Sequence, residues 1–564
     1  MLLLYLGYIL FLVPIPSASQ PPAALQLLQF RNSLPETSKS LLQWNQTTSS
    51  SAHCSWPGVS CYSNETDFRV EKLELKGYGL SGVLEDSYSF LCEVPHLVLV
   101  DLSGNNFGGS IPAVLGNCSQ LIDVNLNSNH LSGPIPPYVF KPGKLLALNL
   151  GSNKLSGMIP AEVGQCKRLE FLSLEKNSLS GQIPSQLFSI QSLRYLYLTL
   201  NKLNGTLPDL PSRCSLLELQ LPENSFHGPL PSSISNCHDL LVLNASSNHL
   251  GGVIEQDIFK GLMQLERLSL DHNKFEGQIP MSFWSLRNLT RLVLWNNSFS
   301  GRIPEDIRQL DQLVRLDLSI NNLTGPIPAS VSYLRNLEIM YLDKNKLSGP
   351  LPPGIGNCTS LVDIILRENN ISGFIPPEIC GLRNLEYLML NHNQIEGPIP
   401  HCIDSLISLQ VFSILGNRMT GRIPPGITKL ANLTQLILSL NKLEGEIPSD
   451  LGKNIPGLFI LDLKGNQFTG EIPSAACSGS RLWHFILDDN KFTGGFPTEI
   501  IKCKSLIRFS LKNNRLQGSI PNDMGNSSSI EYFNIRGNMF EGTIPMRISF
   551  QAQYQRNLGS FKIL

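Results

Sequence analysis

The sequence lacks an excess of either charge. It contains 44 lysines and arginines against 45 aspartates and glutamates in 564 residues, and neither sign collects into a run. Proteins that bind nucleic acids or anionic membranes through electrostatics need a basic patch or stripe. The balance therefore predicts no nucleic-acid partner and indicates that partners are recognised by shape and local polarity.

The sequence also lacks the short motifs of common catalytic and metal sites. It contains no H-E-x-x-H, C-x-x-C or G-x-S-x-G, and its ten histidines are scattered. One G-x-G-x-x-G match, at residues 77–82, is interpreted as a repeat bend because no crossover helix of a dinucleotide fold follows it. We predict that this chain is not an enzyme and needs neither a metal nor a cofactor.

Long apolar runs are missing after the N-terminus, so no segment there is expected to cross a bilayer. Residues 1–19 are almost wholly apolar and end in small residues at 17–19, which predicts a signal peptide removed before Gln20. A buried N-terminal strand is the alternative, and Pro14 and Pro16 would break its hydrogen-bond ladder. The pattern favours the secretory pathway, with no direct membrane insertion of this chain.

Asn-x-Ser/Thr sequons support secretory passage, although an asparagine-rich repeat raises their chance frequency. The predicted glycosylation sites are Asn45, Asn64, Asn117, Asn204, Asn244, Asn288, Asn296, Asn322, Asn357, Asn370, Asn432 and Asn526.

A repeat of 24 residues runs through most of the chain. The pattern L-x-x-L-x-L-x-x-N places an asparagine at nearly every 24th residue from Asn105 to Asn538, with only occasional shifts of one residue. A degenerate copy at 70–84 brings the total to about twenty repeats. A register kept over this distance predicts one repeated coil.

The residue types of each repeat specify that coil. Alternating leucines such as Leu148 and Leu150 point inward from a short strand, and the residues between them face outward. The amide of Asn153 can donate and accept hydrogen bonds, so stacked asparagines can satisfy buried backbone groups of the turns. Gly157 permits a bend, and Pro160 discourages continuation of the strand. Successive strands must pair in parallel, which predicts a ribbon of about 95 Å at ~4.8 Å per strand.

The full motif, L-x-x-L-x-L-x-x-N-x-L-x-G-x-I-P, resembles the plant-type extracellular leucine-rich repeat over residues 70–545. The resemblance implies a leucine-rich-repeat solenoid, a right-handed superhelix with a parallel sheet on its concave face. Short 3-10 or irregular turns are expected on the convex face. It also implies that Gly-x-Ile-Pro segments, such as residues 301–304, form a second sheet.

Four segments are expected along the chain: a signal peptide at 1–19, an N-terminal cap at 20–69, the repeat array at 70–545 and a non-repeat tail at 546–564. Leucines between residues 22 and 34 predict a short amphipathic helix at the start of the cap. The tail carries neither a repeat nor a recognisable cap, and we expect truncation or alternative processing there.

Cysteines give further predictions about the ends and the interior. Cys54 and Cys61, with Trp56 between them, resemble the N-terminal cap of the family, in which the two cysteines are disulfide-bonded; a metal site is the weaker alternative. The remaining interpretations rest on repeat phase. Cys92 with Cys118 and Cys477 with Cys503 are either disulfides or buried thiols, Cys380 and Cys402 could pair, and Cys166, Cys214, Cys237 and Cys358 are interpreted as core thiols.

Recognition is expected on the concave wall, at positions between and just after the strand leucines. The candidate ligand-binding residues are Tyr195, Tyr197, Glu218, Gln220, Arg267, Asp271, Arg291, Trp295, Arg315, Asp317, Tyr341, Asp343, Asp363, Arg367, Tyr387 and His392. An aromatic residue flanked by Arg and Asp is typical of interface hot spots, and we favour Trp295 as the anchor of an extended peptide. For any single residue, solubility or cross-strand pairing is the alternative.

The resemblance implies a function: the ligand-binding ectodomain of a plant cell-surface receptor kinase, which binds a secreted peptide or protein and then pairs with a leucine-rich-repeat co-receptor kinase. The kinase and the transmembrane helix would belong to a longer form, located at the plasma membrane. No Arg-x-Arg pair for a terminal carboxylate stands at the strand positions, leaving Arg367 as a substitute, and no inserted island indicates a steroid ligand. The alternatives are a secreted protein resembling polygalacturonase inhibitors, or a receptor-like protein without its anchor.

Overall fold

The computed structural model describes residues 22–35, 39–45, 51–64, 67–84, 90–141, 143–477, 481–526 and 530–543. The expected signal peptide and C-terminal tail lie outside the described residues. The chain is divided into two compact units, Met1–Leu240 and Leu241–Leu564. Both are built from the predicted coil, in which one short strand, one turn with the buried asparagine and one second strand follow each other.

The first unit begins with the helix Pro22–Ser33, as its leucine spacing predicts. A hairpin then pairs strand Val59–Asn64 antiparallel to strand Asp67–Glu74, and the second of these pairs parallel to Leu99–Asp101. The hairpin covers the first edge of the long sheet, where unpaired backbone groups would otherwise face solvent. The sequence pattern of the cap did not indicate this hairpin.

Parallel pairing continues through the long sheet of the first unit, whose strands after the hairpin are Leu99–Asp101, Asp123–Asn125, Ala147–Asn149, Phe171–Ser173, Tyr195–Tyr197 and Glu218–Gln220. Its second-sheet strands are Ser81–Val83 with Asn106–Gly108, and Ser132–Pro134, Lys154–Gly157, Ser178–Gly181, Lys202–Gly205 and Ser225–Gly228. Its short helices are Lys39–Leu41, Ala52–Ser55, Ala113–Asn117, Pro137–Phe140, Ala161–Gln165, Ser185–Phe188 and Ser232–Asn236.

The second unit repeats the same plan. Its long sheet runs in parallel through Val242–Asn244, Arg267–Ser269, Arg291–Val293, Arg315–Asp317, Ile339–Tyr341, Asp363–Ile365, Tyr387–Met389, Val411–Ser413, Gln435–Ile437, Ile460–Asp462, His484–Ile486, Arg508–Ser510 and Tyr532–Asn534. Its second-sheet strands are His249–Val253, Lys274–Gln278, Ser298–Arg302, Asn322–Gly325, Lys346–Pro350, Asn370–Gly373, Gln394–Gly397, Arg418–Gly421, Lys442–Gly445 and Gln467–Phe468, with Gln517–Ser519 paired to Met539–Glu541. Its 3-10 helices are Met281–Ser285, Glu305–Gln309, Ala329–Tyr333, Pro353–Asn357, Pro377–Gly381, His401–Ser405, Pro425–Lys429, Ser474–Cys477, Thr498–Lys502 and Asn522–Asn526.

The buried asparagines form the predicted ladder. In the second unit, Asn321 is 8% exposed, and its Nδ2 lies 3.0 Å from the carbonyl oxygen of Leu294 in the preceding coil and 3.1 Å from that of Leu318 in its own coil. Its Oδ1 accepts a hydrogen bond of 3.0 Å from the backbone N–H of Phe299. Each such amide therefore satisfies turn groups of two coils at once, as buried polar groups require.

The residue before the ladder asparagine has a left-handed backbone in both units. Lys176 has φ 52° in the first unit, and Ile320 has φ 51° in the second. Through this conformation the backbone N–H of Ile320 reaches the carbonyl oxygen of Asp343 in the next coil at 2.8 Å. Because a β-branched side chain is strained at positive φ, Ile320 shows that the turn geometry is imposed by the stacking.

The second sheets lie earlier in the repeat than the resemblance implied. Most of their strands begin directly after the ladder asparagine and end at the repeat glycine or one residue after it, as in Lys154–Gly157 and Ser298–Arg302. The implied second sheet is therefore present, but most of its strands contain only the glycine, or the glycine and the next residue, of Gly-x-Ile-Pro. The isoleucine and proline instead lead into the next 3-10 helix, because proline cannot donate to a ladder.

The cysteines occur both as disulfides and as buried free thiols. The structure forms disulfides Cys54–Cys61, Cys92–Cys118, Cys380–Cys402 and Cys477–Cys503, with Cα atoms 5.5, 4.8, 5.9 and 5.7 Å apart. Cys166 and Cys358 are buried free thiols, as predicted, and burial raises the pKa of each to about 11.

The interpretation of Cys214 and Cys237 as core thiols is wrong. They form a disulfide with Cα atoms 4.6 Å apart. Neighbouring coils stack closely enough to bring equivalent turn positions within disulfide range, so repeat phase alone could not separate two buried thiols from one bridge.

Candidate functional site

Side chains that alternate with the buried leucines of the long sheet form one continuous surface in the second unit. We call this surface the open face. It consists of the first and third residues of each strand from Arg267–Ser269 to Tyr532–Asn534, together with the two residues that follow the buried residue directly after each strand. In strand Arg315–Asp317, for example, Leu316 is 1% exposed while Arg315 lies on the open face. All candidate residues from Arg267 to His392 belong to it.

Three arginines occupy the same position of three adjacent strands. Arg267 pairs in register with Arg291, and Arg291 pairs with Arg315. Arg267 and Arg291 are exposed, whereas Nη2 of Arg315 lies 2.9 Å from Oδ2 of Asp317. We call these residues the arginine row; strands ~4.8 Å apart bring their positive charges close together.

Trp295 packs beside His272 at the other end of the strands. Their ring centroids are 3.8 Å apart at an interplanar angle of 76°, and Trp295 is half-buried. Nδ1 of His272 lies 3.7 Å from Oδ2 of Asp271. Burial is the largest cause of the raised pKa of Asp271, and the nearby histidine opposes it. The arrangement gives an aromatic surface with a polar rim, as found at interface hot spots.

A network of paired charges continues along the open face. The hydroxyl of Tyr341 donates to Oδ2 of Asp363 at 2.5 Å, and the guanidinium carbon of Arg315 lies 5.3 Å from the centre of the Tyr341 ring. Nη2 of Arg367 lies 3.1 Å from Oδ2 of Asp343. Burial raises the pKa values of Tyr341 and Asp343, and Arg367 partly offsets the rise for Asp343.

This network changes the interpretation of Arg367. As the expected substitute for a carboxylate-binding pair, it would have to present its guanidinium to a ligand. The structure pairs that guanidinium with Asp343 at 3.1 Å, and the side chain remains 37% exposed. Arg315 of the arginine row is paired with Asp317 in the same way, whereas Arg267 and Arg291 are exposed.

Tyr387 and His392 lie on the open face in the coil that follows Arg367. The hydroxyl of Tyr387 is 3.5 Å from Oε1 of Gln410, and His392 is exposed with a left-handed backbone, φ 53°. The two coils that follow contain no charged residue from 410 to 417 or from 434 to 441. We call their half-buried open-face residues, Leu415 and Ile437, the charge-free segment; Val411, in the first of the two strands, is 4% exposed.

The first unit has its own aromatic cluster. The rings of Phe171 and Tyr197 meet edge to face with centroids 5.4 Å apart, and Tyr195 lies beside them with its centroid 6.3 Å from that of Phe171. The Tyr197 hydroxyl donates to Oε2 of Glu218 at 3.1 Å, and burial together with this carboxylate raises the pKa of Tyr197 to about 12. The predicted Gln220 pairs in register with Tyr197.

Sequence reasoning missed several apolar side chains that are at least partly exposed beside the long sheet. One is Phe171, which the repeat register places beside Tyr195. The others form the row Phe459, Trp483 and Ile507, each directly before a strand of the long sheet in consecutive coils. The backbone N–H of Trp483 donates to the carbonyl of Phe459, and that of Ile507 donates to the carbonyl of Trp483, at 2.9 and 3.0 Å. Comparing one position across coils would have revealed all of them.

Two other groups of candidate residues, one in the N-terminal cap and one near Asn490, do not form a reactive or metal-binding site. His53, Cys54 and Cys61 place three potential metal-ligand atoms within 4.8 Å of one another, but the two sulfur atoms form a disulfide and are not thiolates. Asp488, which precedes Asp489 and the ladder residue Asn490, is a buried carboxylate. It is 6% exposed, its Oδ1 accepts from the backbone N–H of Lys512 at 2.9 Å, and burial raises its pKa.

Comparisons with known proteins agree with this architecture. The family described as Leucine rich repeat N-terminal domain matches residues 23–62, and Leucine rich repeat families match 247–299 and 287–347 together with further single repeats. The Arabidopsis receptor kinase HAESA, solved with the peptide hormone IDA and the co-receptor SERK1, is 32% identical with a TM-score of 0.84. The match covers 94% of this chain and 88% of that one. This chain belongs to the plant leucine-rich-repeat receptor family.

Other receptors give the same result. The structure of PEPR1 with AtPEP1 matches with a TM-score of 0.77 and 28% identity, covering 93% of this chain and 80% of that one. Among curated relatives, the inactive LRR receptor-like serine/threonine-protein kinase BIR2 of Arabidopsis thaliana is 38% identical over 86 residues, or 15% of this chain and 14% of the relative. The matches to the first curated relatives span only 10–17% of their lengths. The parts of this chain that match these receptors are extracellular leucine-rich repeats.

Among the residues that the structure describes, no helix is long and apolar enough to span a membrane.

Proposed function

We propose that this chain is the ligand-recognising ectodomain of a cell-surface receptor and that an extended peptide binds along the open face of its second unit. The observation that carries the proposal is the presence of aromatic and charged side chains there, with the arginine row at one end of the strands and Trp295 on His272 at the other. Half-buried aromatic rings with a polar rim supply apolar contact area and orientation together. The peptide-bound receptors HAESA and PEPR1 share this fold, which supports the assignment.

A display selection tests the proposal. A library of random twelve-residue peptides is selected against the chain, and the affinities of the recovered peptides are measured by isothermal titration calorimetry. We expect Trp295→Ala combined with Arg267→Ala to lower the affinity at least tenfold, since hot-spot residues carry most of the binding free energy.

The matched control is Tyr333→Ala combined with Arg335→Ala. This pair also removes one exposed aromatic side chain and one exposed arginine from the second unit, and Tyr333 is 60% exposed. We expect it to change the affinity less than twofold. Peptide binding that survives the Trp295 and Arg267 double substitution would exclude this placement.

We propose further that a co-receptor ectodomain docks on the apolar row Phe459, Trp483 and Ile507. Trp483 is 41% exposed between the half-buried Phe459 and Ile507, and contiguous apolar surface of this kind is typical of a protein interface. The HAESA complex contains the co-receptor SERK1, which supports a partner of this kind. The receptor would then act at the plasma membrane as part of a longer protein.

A pull-down tests this second surface. The ectodomain of a co-receptor such as SERK1 is added to the chain with and without a selected peptide. Trp483→Ala is expected to reduce peptide-dependent co-receptor binding at least fivefold while peptide affinity stays unchanged. Unaltered co-receptor binding would show that the apolar row is not the interface.

A further inference from the structure

An exposed apolar strip crosses the second sheets of the second unit, away from the open face. It occupies the residue after the repeat glycine in four consecutive coils, and its members are all exposed: Pro326, Pro350, Phe374 and Pro398. The same position holds Arg302 in the coil before the strip and Arg422 in the coil after it. We call these four residues the lateral strip. Contiguous apolar surface of this kind indicates a contact with something other than water.

The ring of Phe374 is supported by the next coil. Its Cδ1 and Cε1 atoms lie so close to Gly397 that a Cβ atom at this glycine would collide with the ring. Gly397 has φ 76°, and glycine combines this left-handed backbone with the absence of a side chain. Phe374 is nevertheless 60% exposed. The aromatic surface is therefore held on the sheet and open to solvent.

A glycosylation sequon begins the strand that leads to this ring. Strand Asn370–Gly373 starts with Asn370, Ile371 and Ser372. Ile371 is 1% exposed and packs into the core, whereas Asn370 is exposed. The folded chain thus leaves room for a bulky carbohydrate on the amide nitrogen of Asn370.

The sequon and the ring are separated by a short distance along one strand. Four residues lie between the Cα atoms of Asn370 and Phe374, which is about 13 Å at ~3.3 Å per residue. The asparagine side chain and the first two sugars of an N-linked glycan cover a distance of this order. Pro350 pairs in register with Ser372, so the lateral strip borders the path between the attachment point and the ring.

The surface around this path suits a sugar. One side of an N-acetylglucosamine ring carries C–H groups that stack on an aromatic face, while its hydroxyl and amide groups point outward. Ser348 pairs in register with Asn370, and the exposed Glu396 directly precedes Gly397. Their hydroxyl and carboxylate groups can form hydrogen bonds with sugar hydroxyls. A sugar on Phe374 would therefore have both an apolar platform and a polar rim.

We propose that Asn370 carries an N-linked glycan whose second N-acetylglucosamine stacks on Phe374, so that the lateral strip is covered by the chain's own carbohydrate. A hydrated glycan at this place shields the apolar side chains from contacts with other proteins. The chain would carry this glycan whether or not the open face binds a peptide.

The chain contains a matched control sequon. Asn322 begins strand Asn322–Gly325 in the same way, and the residue four positions later is Pro326. Proline offers no aromatic face for a sugar. A glycan at Asn322 should therefore be attached without being fixed on the sheet.

Glycopeptide mass spectrometry and hydroxyl-radical footprinting of the whole chain, secreted from cultured eukaryotic cells, test the proposal. Asn370 is expected to carry a glycan. Asn370→Gln and Ser372→Ala each remove the sequon by a different change, and each should raise the oxidation rate of Phe374 at least twofold. Asn322→Gln should leave the oxidation rate of Phe374 unchanged.

Phe374→Ser tests the contact from the side of the sugar. A peptide:N-glycosidase acting on the folded chain should release the Asn370 glycan at least threefold faster from this variant than from the unchanged chain. The Asn322 glycan should be released at the same rate from both. An Asn370 without a glycan would overturn the proposal, and so would an occupied Asn370 whose loss leaves the oxidation rate of Phe374 unchanged.

Discussion

The buried ladder and the open face of the second unit use polar side chains in opposite ways. Ladder residues such as Asn321 are neutral amides, and each repeats the same hydrogen bonds to the coil before it. Open-face residues change from coil to coil, from the arginine row to the charge-free segment. A neutral amide satisfies backbone donors and acceptors without burying a charge, so it suits a position that must recur in every coil.

This difference shows which positions can acquire a binding function without disrupting the fold. A substitution in the ladder leaves backbone groups of two coils unsatisfied, so that position is fixed by folding. A substitution on the open face alters one side chain between solvent and the sheet. Variation there is tolerated by the fold, and a binding surface can be built from it.

The largest expected effect follows from breaking the ladder. Asn321→Ala removes the acceptor of the Phe299 N–H and the donor to Leu294 and Leu318. Unsatisfied buried groups destabilise by about 1–3 kcal/mol each, so we expect a loss of about 3 kcal/mol or more in urea unfolding. Hydrogen exchange at the Phe299 amide should accelerate.

The matched control is Asn336→Ala. Asn336 is an exposed asparagine of the same unit with one hydrogen bond to a backbone carbonyl, at 3.1 Å from Asp311. Its loss should change stability by less than about 0.5 kcal/mol. Equal effects of the two substitutions would remove the distinction between ladder and surface asparagines.

Arg315→Ala is expected to have the next largest effect on stability, because this open-face residue also stabilises the fold. It leaves the carboxylate of Asp317, 3% exposed, without its guanidinium partner. We expect a loss of about 1–2 kcal/mol in urea unfolding. Arg291→Ala, at an exposed position of the same row, should lower stability by less than about 0.5 kcal/mol. A larger loss for Arg291→Ala than for Arg315→Ala would contradict this reading of the row.

Ile320→Asn should stabilise the chain by about 1 kcal/mol. Ile320 is held at φ 51°, where a β-branched residue is strained and asparagine is tolerated. The measurement is again urea unfolding, with Lys344→Asn as the control because Lys344, at φ 53°, has no β-branch. A destabilised Ile320→Asn variant would show that packing of the isoleucine outweighs the strain.

The smallest effect concerns pH. Burial raises the pKa of Asp343, so the folded state holds this proton to a higher pH than the unfolded state does. Ionised Asp343 therefore reduces stability at neutral pH, and the reduction disappears as the pH falls towards the ordinary carboxyl range. As the pH rises from 4 to 7, the free energy of unfolding of Asp343→Asn should increase relative to that of the unchanged chain by less than about 1 kcal/mol. Thermal unfolding at both pH values measures it, and an advantage of Asp343→Asn that is larger at pH 4 than at pH 7 would contradict the expected sign.

The fold could be predicted from the sequence because its determinants repeat. Inward leucines, ladder asparagines and bend glycines each recur at one position, so chance agreement at a single repeat is outweighed by the rest. The hairpin Val59–Asn64 with Asp67–Glu74 could not be predicted in this way. It occurs once, at an edge, and no periodicity marks it.

The candidate site could be predicted only in part. The repeat register identified which residues face outward, and Trp295 and Arg267 were found by this means. It could not show that Arg367 is paired with Asp343 or that Trp295 packs on His272, because such pairs depend on rotamers across neighbouring coils. The same limit applies to the Cys214–Cys237 disulfide.

Hydroxyl-radical footprinting tests the central claim most directly, because it reports the solvent exposure of individual side chains. A selected peptide should reduce oxidation of Trp295 and Met389, which lie on the open face. Met281, 50% exposed, and Phe374, 60% exposed, lie elsewhere in the same unit and should be oxidised equally with and without peptide. Protection of Met281 and Phe374 with no change at Trp295 would show that the peptide binds another surface and that the open face is not the recognition site.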